Sequence, residues 1–551
     1  MNFLHNVRLA LTPLSPIHIG CGEDFEPTNY VIEDGILYGF DPARAALPDN
    51  LGKRLGELGD KADLLGIQRF FREHAAHFTP HADTLIPVAQ GLATDYQKQV
   101  GQVANRESNG KRVFNQLFIE RASHTNGQPY IPGSSLKGVL RTAWLDKLNN
   151  GRPPLSSEKG HKPNTWDSVK IEKRLLQGDF ESSPLRLLKP SDLMPAGEVA
   201  RKVFYAVRRK KFRVLDENRN ERESGAPYTR NECIEPGQYR AFTGSLTLQD
   251  LGAHDGARLT PSLRLQDLAQ LAHHVNDYHL DRLEHELKTL DQRGLLNPTW
   301  KRAIETLLAK EIEPLLNTGR ALLIRLGRYG GAESKTLSGA GVAQIKIMEG
   351  KGPDNRMRYS YQSHTKTEQL AAETSDDRKH LLPFGWALVE IDPQDDLPQL
   401  RTWCEQETAA RPDMAGVRQR FAAEKAAAAE RAAQQRAERA AAQAAEQARQ
   451  IAEAERLARL QTLSPNLQAV ETFIADCQKR KEQLGASKDK PHTTYHAKAN
   501  ALAKLAHEAG DWTAAEKTAA ADAIETWLPQ IVGVDIKDLR KKLKLAALRG
   551  N

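Results

Sequence analysis

An α+β fold that ends in helix alone is what this sequence predicts, and three observations predict it. Segments of period-two hydrophobic alternation and hairpin signals recur through residues 1–395. A stretch at about 262–318 switches to helical periodicity, rich in Leu, His and Glu. Beyond about residue 405 the chain becomes Ala, Glu, Arg and Gln with almost no Gly or Pro, and residues 463–551 carry short amphipathic periods. These shifts set off a helical insertion at about 262–318 within a β-rich region up to 395, a 396–462 helical linker and a 463–551 helical bundle.

The elements follow in order. In "VRLALTPLSPIHIG" Val7, Leu9 and Leu11 alternate with Arg8, Ala10 and Thr12, which predicts a strand broken by two prolines. "NYVIEDGILYGF" places Asp34-Gly35 between two β-forming runs, a hairpin signal because both residues tolerate positive φ. Residues 61–77 read as helix. Strand-like "QLFIERA" (116–122) precedes "YIPGSSLKGVLRTAWLDKL" (130–148), where Leu136, Val139, Leu140, Ala143 and Trp144 recur at the spacing of a buried helix face. "SPLRLLKPSDL" (183–193) and "KVFYAVRRKKF" (202–212) read as strands, and "CIEPGQYRAFTGSLTL" (233–248) as a hairpin. "GRALLIRLGRYGGAESKTLSGAG" (319–341) reads as a strand and a Gly-rich loop, and "LLPFGWALVEI" (381–391) as a closing strand.

Residues 405–462 have the best helix formers but too few Leu, Ile and Val for a coiled-coil seam. A long, mostly solvated helix acting as a spacer is the expectation. The last segment supplies three to four helices, enough for one modest core.

Composition bounds the function. The 551 residues are 27% charged with a net charge of +7. No apolar run approaches the roughly 20 residues of a membrane span, so a soluble, cytoplasmic protein is expected. Cys21, Cys233, Cys404 and Cys477 lie far apart, which fits reduced thiols better than a disulfide framework. The sequence pI of about 9.0 leans towards a polyanionic partner.

Two Gly-rich stretches carry the candidate chemistry. Gly133 and Gly138 enclose four residues as in a nucleotide loop, yet Val139 and Leu140 stand where a Lys and a hydroxyl are required, so ATP is a poor fit. What remains is a Gly133-Ser134-Ser135 turn at a helix N-terminus, with Lys137 and Arg141 adding charge. That suits a single phosphate, and equally an ordinary cap with two surface cations. In the second stretch Ser334 precedes Lys335, which excludes a Walker motif. Gly327, Gly330 and Gly331 would admit close backbone approach, Arg325, Arg328 and Lys335 supply charge, and Tyr329 offers a stacking face. The run "VRRKKFR" (207–213) reads as a basic edge or loop. His18 with Cys21, His273 with His274, and His492 with His496 each lack a second pair at ligand spacing, so no metal or cofactor is expected, and no catalytic constellation is recognisable.

Taken together, "LTPLSPIHIGCGED", "YIPGSSLKGVLRTA", "SPLRLLKPSDL" and "RLGRYGGAESKTL" before "PFGW" resemble the RAMP-superfamily CRISPR proteins, in order and spacing most like those of type III-A (Csm) effector complexes. The resemblance covers about residues 1–395. It implies two ferredoxin-like, RRM-related domains, 1–200 and 201–395 (the second carrying the helical insertion), whose Gly-rich loops grip RNA backbone. It further implies a non-catalytic subunit that binds crRNA (the guide) at its 3′ end beside the repeated backbone subunit and takes part in crRNA maturation by recruited host nucleases, in antiviral defence. Carried onto this chain, the RNA-contacting residues are His18, Gly133, Ser134, Ser135, Lys137, Arg141, Gly327, Arg328, Gly330, Gly331 and Lys335, with Tyr329 as a stacker. Two alternatives stay open: a RAMP endoribonuclease with His18 as general base, and a subunit holding the 5′ handle instead.

Overall fold

The structure, a computed structural model, describes every residue except 1–3, 46, 107–111, 115–116, 162–164, 179–182, 216–218, 220, 222–227, 250–266, 340–341 and 551. The start of the predicted helical insertion (262–266) and the end of the second Gly-rich stretch (340–341) lie outside the described residues. α-Helix and β-strand are mixed up to about residue 391, and the chain beyond is helical. Two compact units are present, Met1–Ala426 and Ala427–Asn551.

The first unit is organised by two six-stranded sheets. In the first, the strands run Leu188–Pro190, Phe242–Gln249, Leu4–Pro13, Trp386–Ile391 and Ala321–Arg325, each antiparallel to its neighbour, with Met194–Pro195 also pairing Phe242–Gln249. The predicted N-terminal strand is therefore central: Leu11 sits between Phe242 and Val389. Both faces of this sheet are covered. Leu323 and Leu388 enter one apolar core while Leu322, Ile324 and Val389 enter another, which is why "ALLI" and "WALV" read as unbroken hydrophobic runs rather than alternations. Each such fully buried side chain contributes about 1.5–3 kcal/mol.

The second sheet runs Gly20–Phe25, Ile119–Ala122, Thr229–Ile234, Arg201–Lys210, Thr367–Ala372 and Leu382–Pro383, and Ile119–Ala122 lies parallel to Thr229–Ile234. Both sheets take strands from either side of residue 200. One expectation needs correcting: residues 233–248 do not form a hairpin. Their strands belong to different sheets, and the connection crosses between them at Gly237 (φ 69°), whose N–H donates to Pro13 O. The Asp34-Gly35 signal does form a hairpin, Tyr30–Glu33 with Ile36–Gly39, with positive φ at both turn residues.

Helix Gly133–Asn149 buries Leu136, Leu140, Ala143 and Trp144 against the first sheet and ends at Asn150 in the left-handed conformation. Helix Leu268–Gln292, capped by the Asp267 carboxylate, spans both cores, with Val275 and Tyr278 in one and Leu283, Leu287 and Leu290 in the other. The helical insertion is thus core material, not an appendage.

Helix formation does not run unbroken from 405. Pro398–Ala409 ends before Pro412, which cannot donate to the preceding turn, and a new helix runs Met414–Thr462 with no buried residue among those described. The second unit packs helices Pro465–Leu484, Thr494–Glu508, Ala514–Ile531, Ile536–Lys542 and Leu545–Leu548 around Phe473, Leu502, Ile524, Leu528 and Leu545.

Candidate nucleic-acid interface

The turn at Gly133 already holds an anion of its own chain. The helix begins after Pro132, which offers no capping side chain, and Gly133 N–H donates to Asp192 Oδ1 at 2.7 Å. A carboxylate therefore occupies the position at the helix N-terminus that the sequence reading gave to a phosphate. Gly133 is glycine because a Cβ there would lie 2.7 Å from both Pro190 O and Ser191 O. Its role is close packing inside the fold.

Further along the same helix the picture reverses. Ser134, Lys137, Gly138 and Arg141 fall on one accessible face at three-and-four spacing, and a Cβ at Gly138 would meet nothing within 4 Å. Gly in a helix interior costs about 1 kcal/mol relative to Ala, and no intramolecular contact requires it here. Lys189, exposed on the edge strand of the first sheet, lies beside Lys137. Partial burial lowers the Lys137 ammonium pKa, and the Lys189 charge pushes the same way. Neither lysine pairs with a carboxylate among the described residues. Arg141 differs, since it pairs with Glu172 of helix Ser168–Leu175.

The second Gly-rich stretch meets this helix. Arg141, Trp166, Glu172, Lys335 and Gln344 line one cavity of about 350 Å³. Ser338 N–H and Oγ both bond the Asp146 carboxylate, and a Cβ at Gly339 would lie 2.5 Å from Gly151 O. Two loops far apart in sequence are thus brought to one place. Burial lowers the Lys335 pKa, with Arg325 adding to the effect, and Lys335 Nζ donates to Gly327 O at 3.0 Å.

The glycines of that stretch, however, serve the interior. At Gly327 (φ 85°) a Cβ would sit 2.2 Å from His18 O, the same carbonyl that accepts from Arg328 N–H at 3.0 Å. Gly330 is buried against Arg325 and Ser334, and a Cβ at Gly331 (φ 72°) would meet the Glu368 carboxylate at 3.0 Å. Tyr329 also departs from expectation. Its ring is 4% exposed, packs against Phe384 and His18, and its hydroxyl bonds Asn231 Oδ1 (2.8 Å) and Thr229 Oγ1 (2.9 Å). No ring face is left for a base.

His18 is likewise interior. Only 1% is exposed, Nδ1 lies 2.7 Å from Glu232 O and Nε2 lies 3.4 Å from Glu120 Oε2. Glu120 in turn pairs with the exposed Arg328, and the His18 ring and Arg328 guanidinium hold its carboxyl below the usual range against the opposing effect of burial. This His18–Glu120–Arg328 chain ties the N-terminal loop to the Gly-rich stretch. It does not present a free imidazole as a general base.

The basic run 207–213 divides: Arg208 and Arg213 are exposed, while Arg209 and Lys211 are spent inside. Arg209 donates to Asp377 O, and Lys211 bridges Glu333 (2.8 Å) and Glu368 (2.9 Å). Arg325 is buried between Glu286 (2.6 Å) and the Trp386 ring.

One feature was missed from the sequence. Ile345–Lys351 and Met357–Gln362 form a two-stranded hairpin that starts beside Gln344 of the cavity. Its register sets Lys346 opposite Tyr361 and Met348 opposite Tyr359, so all four share one face, and all four are exposed. Lys346 Nζ stands 3.8 Å from the Tyr359 ring centroid. The alternation was readable, but polar "EGKGPDNRMR" at its centre hid it.

The RAMP superfamily model matches residues 10–308. The chain belongs to the RAMP superfamily. Among RAMP relatives, the CRISPR system protein Csm5 of Methanocaldococcus jannaschii is 31% identical over 186 residues, covering 32% of this chain and 40% of that protein. Csm5 of Streptococcus thermophilus is 29% identical over 163 residues, covering 27% and 41%. The alignments thus span about two fifths of these relatives' length. Two solved structures are also similar, each at 17% identity. One is a chain of a Csm–crRNA–target RNA ternary complex of a type III-A CRISPR-Cas system (TM-score 0.39, 70% of this chain and 100% of that one). The other is T. onnurineus Csm5 (TM-score 0.38, 69% and 99%). Among the described residues no helix is long and apolar enough to cross a membrane.

Proposed function

We propose that this chain is a non-catalytic, crRNA-binding subunit of a type III-A CRISPR effector, capping the 3′ end of the guide beside the repeated backbone subunit and taking part in crRNA maturation. Membership of the RAMP superfamily and the Csm5 relatives support the class of complex. The observation that carries RNA contact is the open helix face at Gly138 beside Lys137, which has Lys189 as a neighbour, both lysines being without carboxylate partners among the described residues. A helix surface kept flat at a cost in propensity, next to Lys137 and the neighbouring Lys189, fits a sugar-phosphate chain laid against it. Ser134, Ser135, Arg141, Arg328 and Lys335 extend the contact, and Tyr359 and Tyr361 supply stacking faces in place of Tyr329. Such contacts hold RNA without reading sequence. The two interleaved sheets are, in this reading, the two ferredoxin-like modules.

The test is a salt titration of guide-RNA binding by the Lys137→Glu/Lys189→Glu protein. Affinity falls, and the slope of log affinity against log salt flattens by about 0.7 per lysine. An unchanged slope with intact folding refutes the interface. Repeat RNA incubated with the wild-type chain stays intact; site-specific cutting lost in His18→Ala would refute the non-catalytic assignment.

A further inference from the structure

Cys21, Glu23 and His124 converge on the surface of the second sheet. Cys21 and Glu23 lie two apart on the strand Gly20–Phe25, where a bulge between Gly20 and Asp24, with Gly22 at φ 85°, disturbs the register against Ile119–Ala122. His124 follows that partner strand. The Cys21 sulfur, a Glu23 carboxylate oxygen and a His124 ring nitrogen all lie within 4.8 Å of one another. Cys21 and Glu23 are exposed and His124 is half-buried.

Two further observations point to a cation. First, His124 Nδ1 is 3.0 Å from Ala122 O. A carbonyl only accepts, so Nδ1 carries the proton and Nε2 presents its lone pair outward, the arrangement in which metal-binding histidines are held. Second, a positive group already sits there. The Arg121 guanidinium donates to Glu23 Oε2 at 3.1 Å and to His124 Nε2 at 3.2 Å, and rests on the Phe25 ring at 4.6 Å. Two of the three candidate ligand residues, Glu23 and His124, therefore already face a positive charge.

We propose that Cys21 Sγ, the Glu23 carboxylate and His124 Nε2 form a binding site for a divalent metal of the zinc class. Thiolate, imidazole and carboxylate are the donor set that this ion favours, at bond lengths of about 2.0–2.3 Å. Tetrahedral bonds of that length set ligand atoms roughly 3.3–3.8 Å apart, so side-chain rotation of about an ångström closes the site. Binding releases the Cys21 thiol proton to solvent and moves the Arg121 guanidinium aside. Three protein ligands leave the fourth position to water. The ion would fasten the two strands next to Glu120, the carboxylate that joins His18 to Arg328. The site is independent of the RNA-binding reading.

The experiment uses the full chain, stripped with a chelator, desalted under reducing conditions and titrated with Zn²⁺ and Co²⁺. One equivalent of Co²⁺ gives tetrahedral d–d bands together with a thiolate-to-cobalt charge-transfer band, and Zn²⁺ displaces it. Cys21→Ser abolishes the charge-transfer band, and Cys21→Ser and His124→Gln each weaken Zn²⁺ binding by about tenfold or more. Unchanged thermal unfolding of the exposed Cys21→Ser variant separates metal loss from misfolding. Absence of the charge-transfer band in the wild-type chain, or its persistence in Cys21→Ser, overturns the proposal.

Discussion

Gly138 offers the sharpest test of the interface, because the two outcomes it predicts have opposite signs. Replacing it by Ala adds a Cβ that meets nothing within 4 Å, at an interior position of the helix Gly133–Asn149. With no clash to subtract, the propensity difference of about 1 kcal/mol acts alone, and Gly138→Ala stabilises the first unit by about 0.5–1 kcal/mol. The readout is the urea midpoint, with the slope unchanged. Gly138→Leu keeps a good helix former but raises a side chain between Lys137 and Arg141. Folding survives, while affinity for single-stranded guide RNA, followed by fluorescence anisotropy, falls at least about tenfold, or 1.4 kcal/mol. Destabilisation by Gly138→Ala would show that the face is not open. Undiminished RNA binding by Gly138→Leu would show that nothing is laid against it.

Two other outcomes follow from the interior groups. Tyr329→Phe removes the hydroxyl that bonds Asn231, a fully buried residue, and Thr229; it costs about 1–3 kcal/mol in urea unfolding with guide-RNA affinity unchanged, and the reverse pattern would reinstate a stacking role. Glu333 bears on acid stability: burial alone would raise its pKa, but the Lys211 ammonium and the Thr365 N–H prevail and hold it at about 2. Ionised Glu333 thus stabilises the native state above pH 4.5, and that contribution is lost as pH falls from 4.5 towards 2. Glu333→Gln is less stable at neutral pH and loses less on acidification; parallel stability curves for the two proteins would refute the coupling.

What the sequence conveyed depended on how local the cause was. The Asp34-Gly35 turn and the buried stripe Leu136, Leu140, Ala143 and Trp144 were legible because neighbours in sequence dictate them. The 233–248 hairpin was misread because nothing near Gly237 says that the next strand joins another sheet. Gly-rich composition had the same ambiguity. It marks a close approach without telling who approaches, and at Gly133, Gly327 and Gly331 the visitor is Pro190, His18 or Glu368 of the same chain. Among the described glycines of the two Gly-rich stretches, only Gly138 keeps the space open. Likewise Arg325, Tyr329 and Lys211 look like surface chemistry in one dimension, and their carboxylate and aromatic partners lie 39 or more residues away. Cys21 and His124 were unreadable as a pair for the same reason, whereas the alternation of Lys346 and Met348 against Tyr359 and Tyr361 was present and overlooked.

The pairing of Leu11 with Val389 has a consequence for synthesis. On a ribosome adding about 5–20 residues per second, the partner emerges roughly 20–75 s after Leu11 itself. Throughout that interval the strand Leu4–Pro13 has at most one of its two hydrogen-bonded sides covered, and its open edge is available to any passing chain. Closing so long a loop also makes the final step slow. Premature termination anywhere before Trp386 would leave that edge bare, because the strand that covers it is Trp386–Ile391.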